Sequence, residues 1–427
     1  MKKLIFNKVL ILSQYYKPES GAPQIRLAKM AEQLKKNGCD VRVLTAYPNY
    51  PTGKIYDGYK RASRMEEEID GINVTRSWIY PASGRSKLKR LINYLSFTIS
   101  STPKLLFFKW RPDVVFVEAQ PITLAFPAYL NLKFKKIPYI YNTPDLQIEY
   151  AEQDKWLPLA FMIFFAKKIE KFFMKNAFSV TTVTHEFIRH FSKERKINYE
   201  KFSFLPNGAD TKKLYPINPD EDFKKKMGVT NQFIITYAGT HAPYQGLELI
   251  INTAKRLKNR KDIIFLLAGD GPERKKLIEL SKSYGLNNVI FQHSPFSEMH
   301  KLMSITYASL VVLRAMPISK KMRLSKTIPP LACGVPVIYS GWGESAKIIS
   351  DFKCGLVVDP ENSLKLANEI KGIIDNQELR NKMSLSARKT AELEFDWNVI
   401  ISNWIENIND IYDKKLPRIK GMIEFNQ

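Results

Sequence analysis

The chain has 427 residues, a formal net charge of +24 and 44% apolar residues, 12% of all residues being aromatic. That length suits two domains of about 200 residues each, and the apolar content excludes a disordered chain. Cys39, Cys333 and Cys354 stand far apart, with no CxxC and no histidine at ligand spacing, which excludes a zinc site and a disulfide framework and fits a reducing cytoplasm.

The opening MKKLIFNKVLILSQYY has a signal-like start, but Asn7 and Lys8 break its apolar run and no small-residue cleavage site follows. VLILS therefore reads as a buried first strand. Further strands are expected at Val41 to Thr45, Val114 to Glu118, Tyr139 to Asn142, Ser179 to Val183 and Phe202 to Leu205. A second series is expected at Phe233 to Ala238, Ile263 to Ala268, Val289 to Gln292, Ala308 to Leu313, Pro336 to Tyr339 and Gly355 to Val358. Between most of them lie amphipathic segments such as Gln24 to Asn37, with Ile25, Leu27, Ala28, Ala31 and Leu34 at helical spacing and Gly38 as the C-cap. Strand and helix in alternation predict an α/β fold of two parallel sheets wound with helices. The break falls after PNGADTKKLYPINPDED, where turn formers and charges replace periodicity.

In such sheets, ligands bind at the carboxyl ends of strands. The loop QYYKPESGAPQIR after the first strand places Gly21 before a helix, where backbone can approach a ligand closely. Between Asp70 and Asp113 there is no acid, yet Arg76, Arg85, Lys87, Lys89, Arg90, Lys104, Lys109 and Arg111 all lie there. Leu88, Leu91, Ile92, Leu95 and Ile99 share one helical face in this stretch, which is expected to stop near Pro103. A basic amphipathic helix of this kind suits an anionic membrane surface, with Arg85, Lys87, Lys89 and Arg90 as contacts; the alternative is an apolar face packed on the sheet. A second apolar segment, Lys155 to Lys175, is too short to span a membrane but able to dip an apolar face into one; packing of that face on the sheet is the favoured expectation. TPDLQIEYAE offers Asp145 and Glu149 after a strand, as proton acceptors or, for Asp145, as a helix cap.

In the second half, GTHAPYQGLELI places Gly239, Thr240, His241 and Gln245 after a strand, and GDGPERKKL places Gly269 after the next. Both loops also fit plain turn chemistry. A nucleic-acid partner is not expected, because no RNA-binding sheet pattern, helix-turn-helix or zinc finger is present.

The ordered set LPNGAD, YAGTHAPYQGLELI, FLLAGDGPERKKLIEL, SKTIPPLACGVPVIYSGWGESAKII and CGLVVDPEN resembles the retaining nucleotide-sugar glycosyltransferases of glycosyltransferase family 4. TAYPNYPTGKIYDGY and EEEIDGINVTRSW resemble the branch that builds bacterial O-antigen and capsule polysaccharides. The resemblance implies a GT-B fold: an acceptor-binding Rossmann-like domain over 1–210, a nucleotide-sugar-binding one over 211–395, and a C-terminal helix over 396–427 that returns to the first. It implies a nucleotide-sugar donor such as a UDP-sugar, a polyprenyl-pyrophosphate-linked or glycan acceptor, and no metal or cofactor. The leaving diphosphate would meet Ser325, Lys326 and Thr327 at a helix start.

Two departures from the family's pattern stand out. Its two ribose-gripping glutamates are Lys321 and Pro329 here, and its phosphate-gripping Arg and Lys are replaced near Thr240 and Gln245. Arg314, Lys320, Lys321 and Arg323 are the expected substitutes for phosphate, and Glu344 for a sugar or ribose hydroxyl. Asp145 matches an acidic position of the family, beside Pro144 where relatives carry histidine. The expected location is the cytoplasmic face of the plasma membrane. A catalytically degenerate partner protein is the main rival reading, because of Pro329, and a nucleotide-sugar epimerase is a weaker one.

Overall fold

Lys8–Ser13 (β1) carries KVLILS, and every residue after Lys8 is buried, as a strand covered on both faces requires. The computed structural model describes residues 3–59, 65–82, 86–153, 160–293 and 296–424. Two units divide the chain: one takes it up to Asn207 and again from Trp397, the other is Gly208–Asp396.

In the first unit β1 is joined by Asp40–Ala46 (β2), Met65–Ile69 (β3), Ile72–Ser77 (β4), Val114–Glu118 (β5), Tyr139–Thr143 (β6), Ser179–Thr182 (β7) and Phe202–Phe204 (β8). The sheet order is β3-β4-β2-β1-β5-β6-β7-β8. Its helices are Ala22–Lys36 (α1), Lys87–Leu106 (α2), Ala125–Lys135 (α3), Gln147–Gln153 (α4), Ala160–Asn176 (α5) and His185–Glu194 (α6). Helix α1 starts with proline in its first turn, where a missing amide loses no helical bond. Leu27, Met30, Ala31 and Leu34 are its buried face, and Gly38 ends it at φ +86.

One expectation is corrected. The sheet is not wholly parallel: β3 and β4 form an antiparallel hairpin on a two-residue turn, Asp70 (φ +51) and Gly71 (φ +73), the signature of a type I′ turn. Helix α2 ends near Pro103, as expected: the proline lies in its final turn, where Phe107 N–H closes on the Pro103 carbonyl at 2.9 Å. A proline so close to the end removes one ladder bond without ending the helix.

The second unit holds Phe233–Ala238 (β9), Ile263–Ala268 (β10), Val289–Gln292 (β11), Ala308–Val312 (β12), Val337–Ser340 (β13) and Gly355–Val358 (β14), in the order β11-β10-β9-β12-β13-β14 and all parallel. Its helices are Glu221–Lys226 (α7), Glu248–Arg256 (α8), Arg274–Ser283 (α9), Met299–Ser304 (α10), Ile328–Ala332 (α11), Glu344–Asp351 (α12), Ser363–Asp375 (α13) and Gln377–Thr390 (α14). Ala238 pairs with Ala268 at the strand ends, so Gly239 and Gly269 leave the sheet side by side.

Trp397–Glu424 (α15) belongs to the first unit. Its Trp404 is fully buried, meets Phe116 edge to face at 5.8 Å and donates Nε1–H to Thr181 Oγ1 at 3.3 Å. Such an aromatic pair adds about 0.5–1.5 kcal/mol beyond burial.

Candidate active site

Each sheet has a point where the chain winds away in opposite directions, between β1 and β5 in the first unit and between β9 and β12 in the second. Ligands of wound α/β sheets bind there, and both points gather buried polar groups.

In the second unit the loops after β9 and β10 are laid against each other. A Cβ on Gly269 (φ +149) would meet the Gly239 carbonyl, and one on Gly271 (φ +156) the His241 carbonyl at 2.5 Å. A Cβ on Gly239 itself would strike the Lys326 side chain. Lys326, from the segment after β12, thus lies across the exit of β9. Its ammonium donates to Tyr237 Oη at 3.0 Å, and that phenol donates to the Thr240 carbonyl at 2.8 Å. No carboxylate pairs with Lys326 among the described residues, and burial pushes its pKa down to about 7. His241 is fully buried, and neither ring nitrogen has a hydrogen-bond partner among the described residues. Burial first, and then the charge of Arg274, push its pKa down to about 4 against Asp270, so the imidazole is neutral at pH 7. Gln245 is buried with its Oε1 unpartnered. The half-buried Lys326 cation and an N–H of the neutral His241 imidazole are equipped to donate to an anion, whereas Gln245 Oε1, an acceptor, is left for a donor such as a hydroxyl.

The other expected donor residues are engaged within the unit. Arg314 pairs with both Glu248 oxygens at 3.0 Å. Arg323 lies 4.8 Å from the Phe395 ring centre, and burial lowers its pKa against the charges of Glu344 and Glu394. Glu344 begins α12, where its charge bears on Arg323. Lys320 sits over Trp342 at 5.0 Å. The expected helix start is a 3₁₀ turn, Ser325–Thr327, that runs directly into the five-residue α11, which carries two prolines. The Thr327 amide already bonds the Leu324 carbonyl and the Ile328 amide that of Ser325, while Thr327 Oγ1 donates to Leu324 O at 2.8 Å. Lys326 adds the charge that the segment offers to an anion.

In the first unit, Arg26 donates to Glu118 Oε1 at 2.5 Å, and Asn142 to Glu118 Oε2 at 2.6 Å. Both members of the ion pair are 2% exposed. Burial raises the Glu118 pKa against the opposing charge of Arg26. Gln14 Oε1, Gln24 Oε1, Arg26 Nε and Asn142 Oδ1 are buried without partners. Asp145 accepts from Gln120 Nε2 at 2.7 Å; it is open to solvent on one side, while crowding by protein atoms raises its pKa. Gly21 precedes α1 with extended backbone, and a Cβ there would meet Gln24 Oε1 at 2.5 Å.

Comparison with known proteins agrees with this architecture. Residues 21–208 match the family described as glycosyl transferase 4-like domain, and residues 219–390 the one described as glycosyl transferases group 1. The chain carries a glycosyl transferase 4-like domain followed by a glycosyl transferases group 1 domain. The transferase is 25% identical over 415 residues to an Escherichia coli (strain K12) protein named for colanic acid biosynthesis as glycosyl transferase WcaI, covering 94% of this chain and 99% of the relative. Among solved structures it is similar to sucrose-phosphate synthase from Thermosynechococcus elongatus, with a TM-score of 0.74, 15% identity, and 96% of this chain and 100% of that one covered. It is also similar to Anabaena HepE in complex with UDP and glucose, with a TM-score of 0.70, 17% identity and coverage of 94% and 99%. These structures have the GT-B fold, and so does the transferase.

Sequence reasoning missed the Gln14, Arg26, Glu118 and Asn142 cluster of the transferase. A signal was present: Glu118 closes the otherwise apolar strand VVFVE at its carboxyl end. Glu149, expected beside Asp145, is instead tied to α6, where it accepts from His190 Nε2 at 2.9 Å and from Arg195 at 2.7 Å. Burial works to raise its pKa, but His190 and Arg195 outweigh it and hold the carboxyl at about 2. Arg85 lies outside the described residues, whereas Lys89 and Arg90 are exposed on α2.

Proposed function

We propose that the transferase moves a hexosyl or acetamidohexosyl group with retention from a nucleotide-sugar, UDP-linked, to a lipid-linked or glycan acceptor in bacterial surface-polysaccharide synthesis. The observation that carries the donor assignment is Lys326: a half-buried ammonium with no carboxylate partner among the described residues, beside His241, whose ring nitrogens find no hydrogen-bond partner among those residues, at the winding point of the second sheet. A departing diphosphate supplies the missing counter-charge, and a preorganised cation in a desolvated site stabilises charge as it develops. Lys326, aided by the general field of Arg314, Lys320 and Arg323, meets that charge in place of a divalent ion. The colanic acid relative supports the pathway class, and the UDP complex of HepE supports the base.

The acceptor falls to the first unit. Asp145 takes up or orients the hydrogen of the attacking hydroxyl, for which a raised carboxyl pKa is suited. The Arg26–Glu118 pair holds the surrounding strand ends.

A thermal-shift series with UDP, GDP, ADP and their sugar conjugates tests the donor. Stabilisation by UDP and UDP-sugars alone is expected; a preference for GDP or ADP overturns the base, and no shift with any nucleotide overturns the transfer reading. Turnover that disappears with a chelator and returns with magnesium or manganese overturns metal independence.

A further inference from the structure

Helix α2 faces the reverse of the usual way for a helix lying on a sheet. Its inward side is Asn93, Ser96, Phe97 and Ser101, all buried, whereas Leu88, Leu91, Ile92, Leu95 and Ile99 are exposed, Ile99 to 70%. Hydrogen bonds fix this orientation. Asn93 accepts from Gln14 at 2.8 Å and donates to the Tyr80 carbonyl at 2.6 Å, Ser96 Oγ accepts the Tyr80 amide at 2.8 Å, and Thr98 bonds Thr123 at 2.9 Å. Rotating the apolar face inward would leave these groups buried and unpaired.

Helix α5 is oriented in the same manner. Its single acid, Glu170, is buried and accepts from Arg195 at 2.6 Å, which turns Phe161, Phe164, Phe165, Ile169 and Phe172 outward. The expectation that this segment packs its apolar face on the sheet is thereby overturned. Between the two helices, at the start of α3, runs a groove of about 560 Å³ lined by Leu95, Ile99, Phe126, Ile169 and Phe172. Exposed apolar surface on this scale marks a contact site.

Charge selects the partner. Four lysines and arginines lie on α2, two on α3 and four on α5, and Glu170 is the only acid on the three helices. Lys89, Arg90, Lys133, Lys168 and Lys175 are exposed, and the Lys168 ammonium lies 4.3 Å from the Phe164 ring centre, its stem along the apolar face. Arg76 and Lys104 are not part of this set: Arg76 is fully buried, bonded to Glu67 and the Lys17 and Ala46 carbonyls, and Lys104 donates to the Arg76 carbonyl at 2.9 Å. A second copy of the chain would bring like charges together, and a nucleic acid would leave the groove wet. Among the described residues no helix is long and apolar enough to cross a membrane, so contact must lie in the plane of the interface.

We propose that the outward face of α2, α3 and α5 is a docking surface for an anionic lipid bilayer, with hydrocarbon filling the groove and the surrounding cations on the headgroups. The face would bring the enzyme to an acceptor carried on a lipid, and for that purpose alone it rests on the transfer reading.

Flotation of the full chain with phosphatidylcholine vesicles, with and without phosphatidylglycerol, tests it. Binding is expected to be about tenfold or more tighter with phosphatidylglycerol and to persist in part at high salt, because apolar insertion is not screened. Ile99→Asp with Phe165→Asp should weaken binding by at least about tenfold while leaving the melting temperature unchanged, both side chains being exposed. No binding to the anionic vesicles overturns the proposal, as does binding that the double variant leaves intact. So does a stable lipid-free dimer that the double variant dissolves, since a second copy would then be the occupant. The UDP thermal shift, read on the other unit, separates a failure here from a failure of the transfer reading.

Discussion

Lys326 and Tyr237 hold each other at the exit of the first strand of the second sheet: the ammonium donates to the phenol oxygen at 3.0 Å and lies 5.3 Å from the ring centre. A neutral phenol is weak compensation for a half-buried ammonium, so the pair is poised to exchange partners for a phosphate. Lys326→Met keeps the stem and removes the charge. The expected loss is about 1.5–3 kcal/mol of UDP affinity, roughly ten- to a hundredfold. Calorimetric titration of the variant checks it, and unchanged affinity would remove Lys326 from the site.

The pH dependence follows in sign from the same residue. Burial lowers its pKa from 10.5 to about 7, so above pH 7 the free protein has lost the proton that a bound diphosphate would retain. UDP affinity should fall about tenfold per pH unit between roughly pH 7 and 9 and flatten below, with close to one proton taken up on binding. Titration in buffers of different ionisation enthalpy measures this uptake, and Lys326→Met should abolish it. In folding, the unfolded chain binds more protons between pH 7 and 10.5, so the cost of burying this charge is full below pH 7 and is relieved as pH rises.

Gly269→Ala should be among the most damaging single-methyl additions in the second unit. The new Cβ would meet the Gly239 carbonyl, a backbone atom that cannot swing aside, at a φ of +149. Strain of this kind costs about 1–3 kcal/mol before the clash is counted. Thermal denaturation should show the loss, whereas Gly372→Ala, with open space around its Cβ inside α13, should stabilise or leave the melt unchanged.

The winding of both sheets was legible because buried parallel strands are written as apolar runs such as KVLILS, FIITYA and IIFLLA. The β3–β4 hairpin was not, since MEEEI carries three acids on a half-exposed edge; its Asp-Gly turn was the available clue. Lys326 could be found from its local segment. Arg26 and Glu118 could not, being 92 residues apart and joined only by the pairing of β1 with β5. For α2 and α5, periodicity defines which residues share a face but not whether that face turns inward. The Asn93 hydrogen bonds and the Glu170 ion pair decide it, and both depend on distant partners.

Asp145 and Glu149 lie four residues apart, and opposite phenotypes are expected of them. Asp145 has a solvent-open side and a single side-chain partner, Gln120, so Asp145→Asn should leave the fold and UDP affinity alone while lowering turnover by roughly 10²–10⁴. Glu149 closes a network with His190, Arg195 and Glu170. Glu149→Ala leaves that charge cluster incomplete, at a cost of about 3–5 kcal/mol, and should lower the melting temperature by about 5–15 °C. Its carboxyl is held at about 2 rather than 4.5, so the stabilisation is present above pH 4.5 and lost as pH falls toward 2; the gap between wild type and variant should narrow over that range. The same variant, assayed cold while folded, should keep most of its turnover. Should Glu149→Gln instead abolish turnover with stability intact, the roles of the two acids would have to be exchanged.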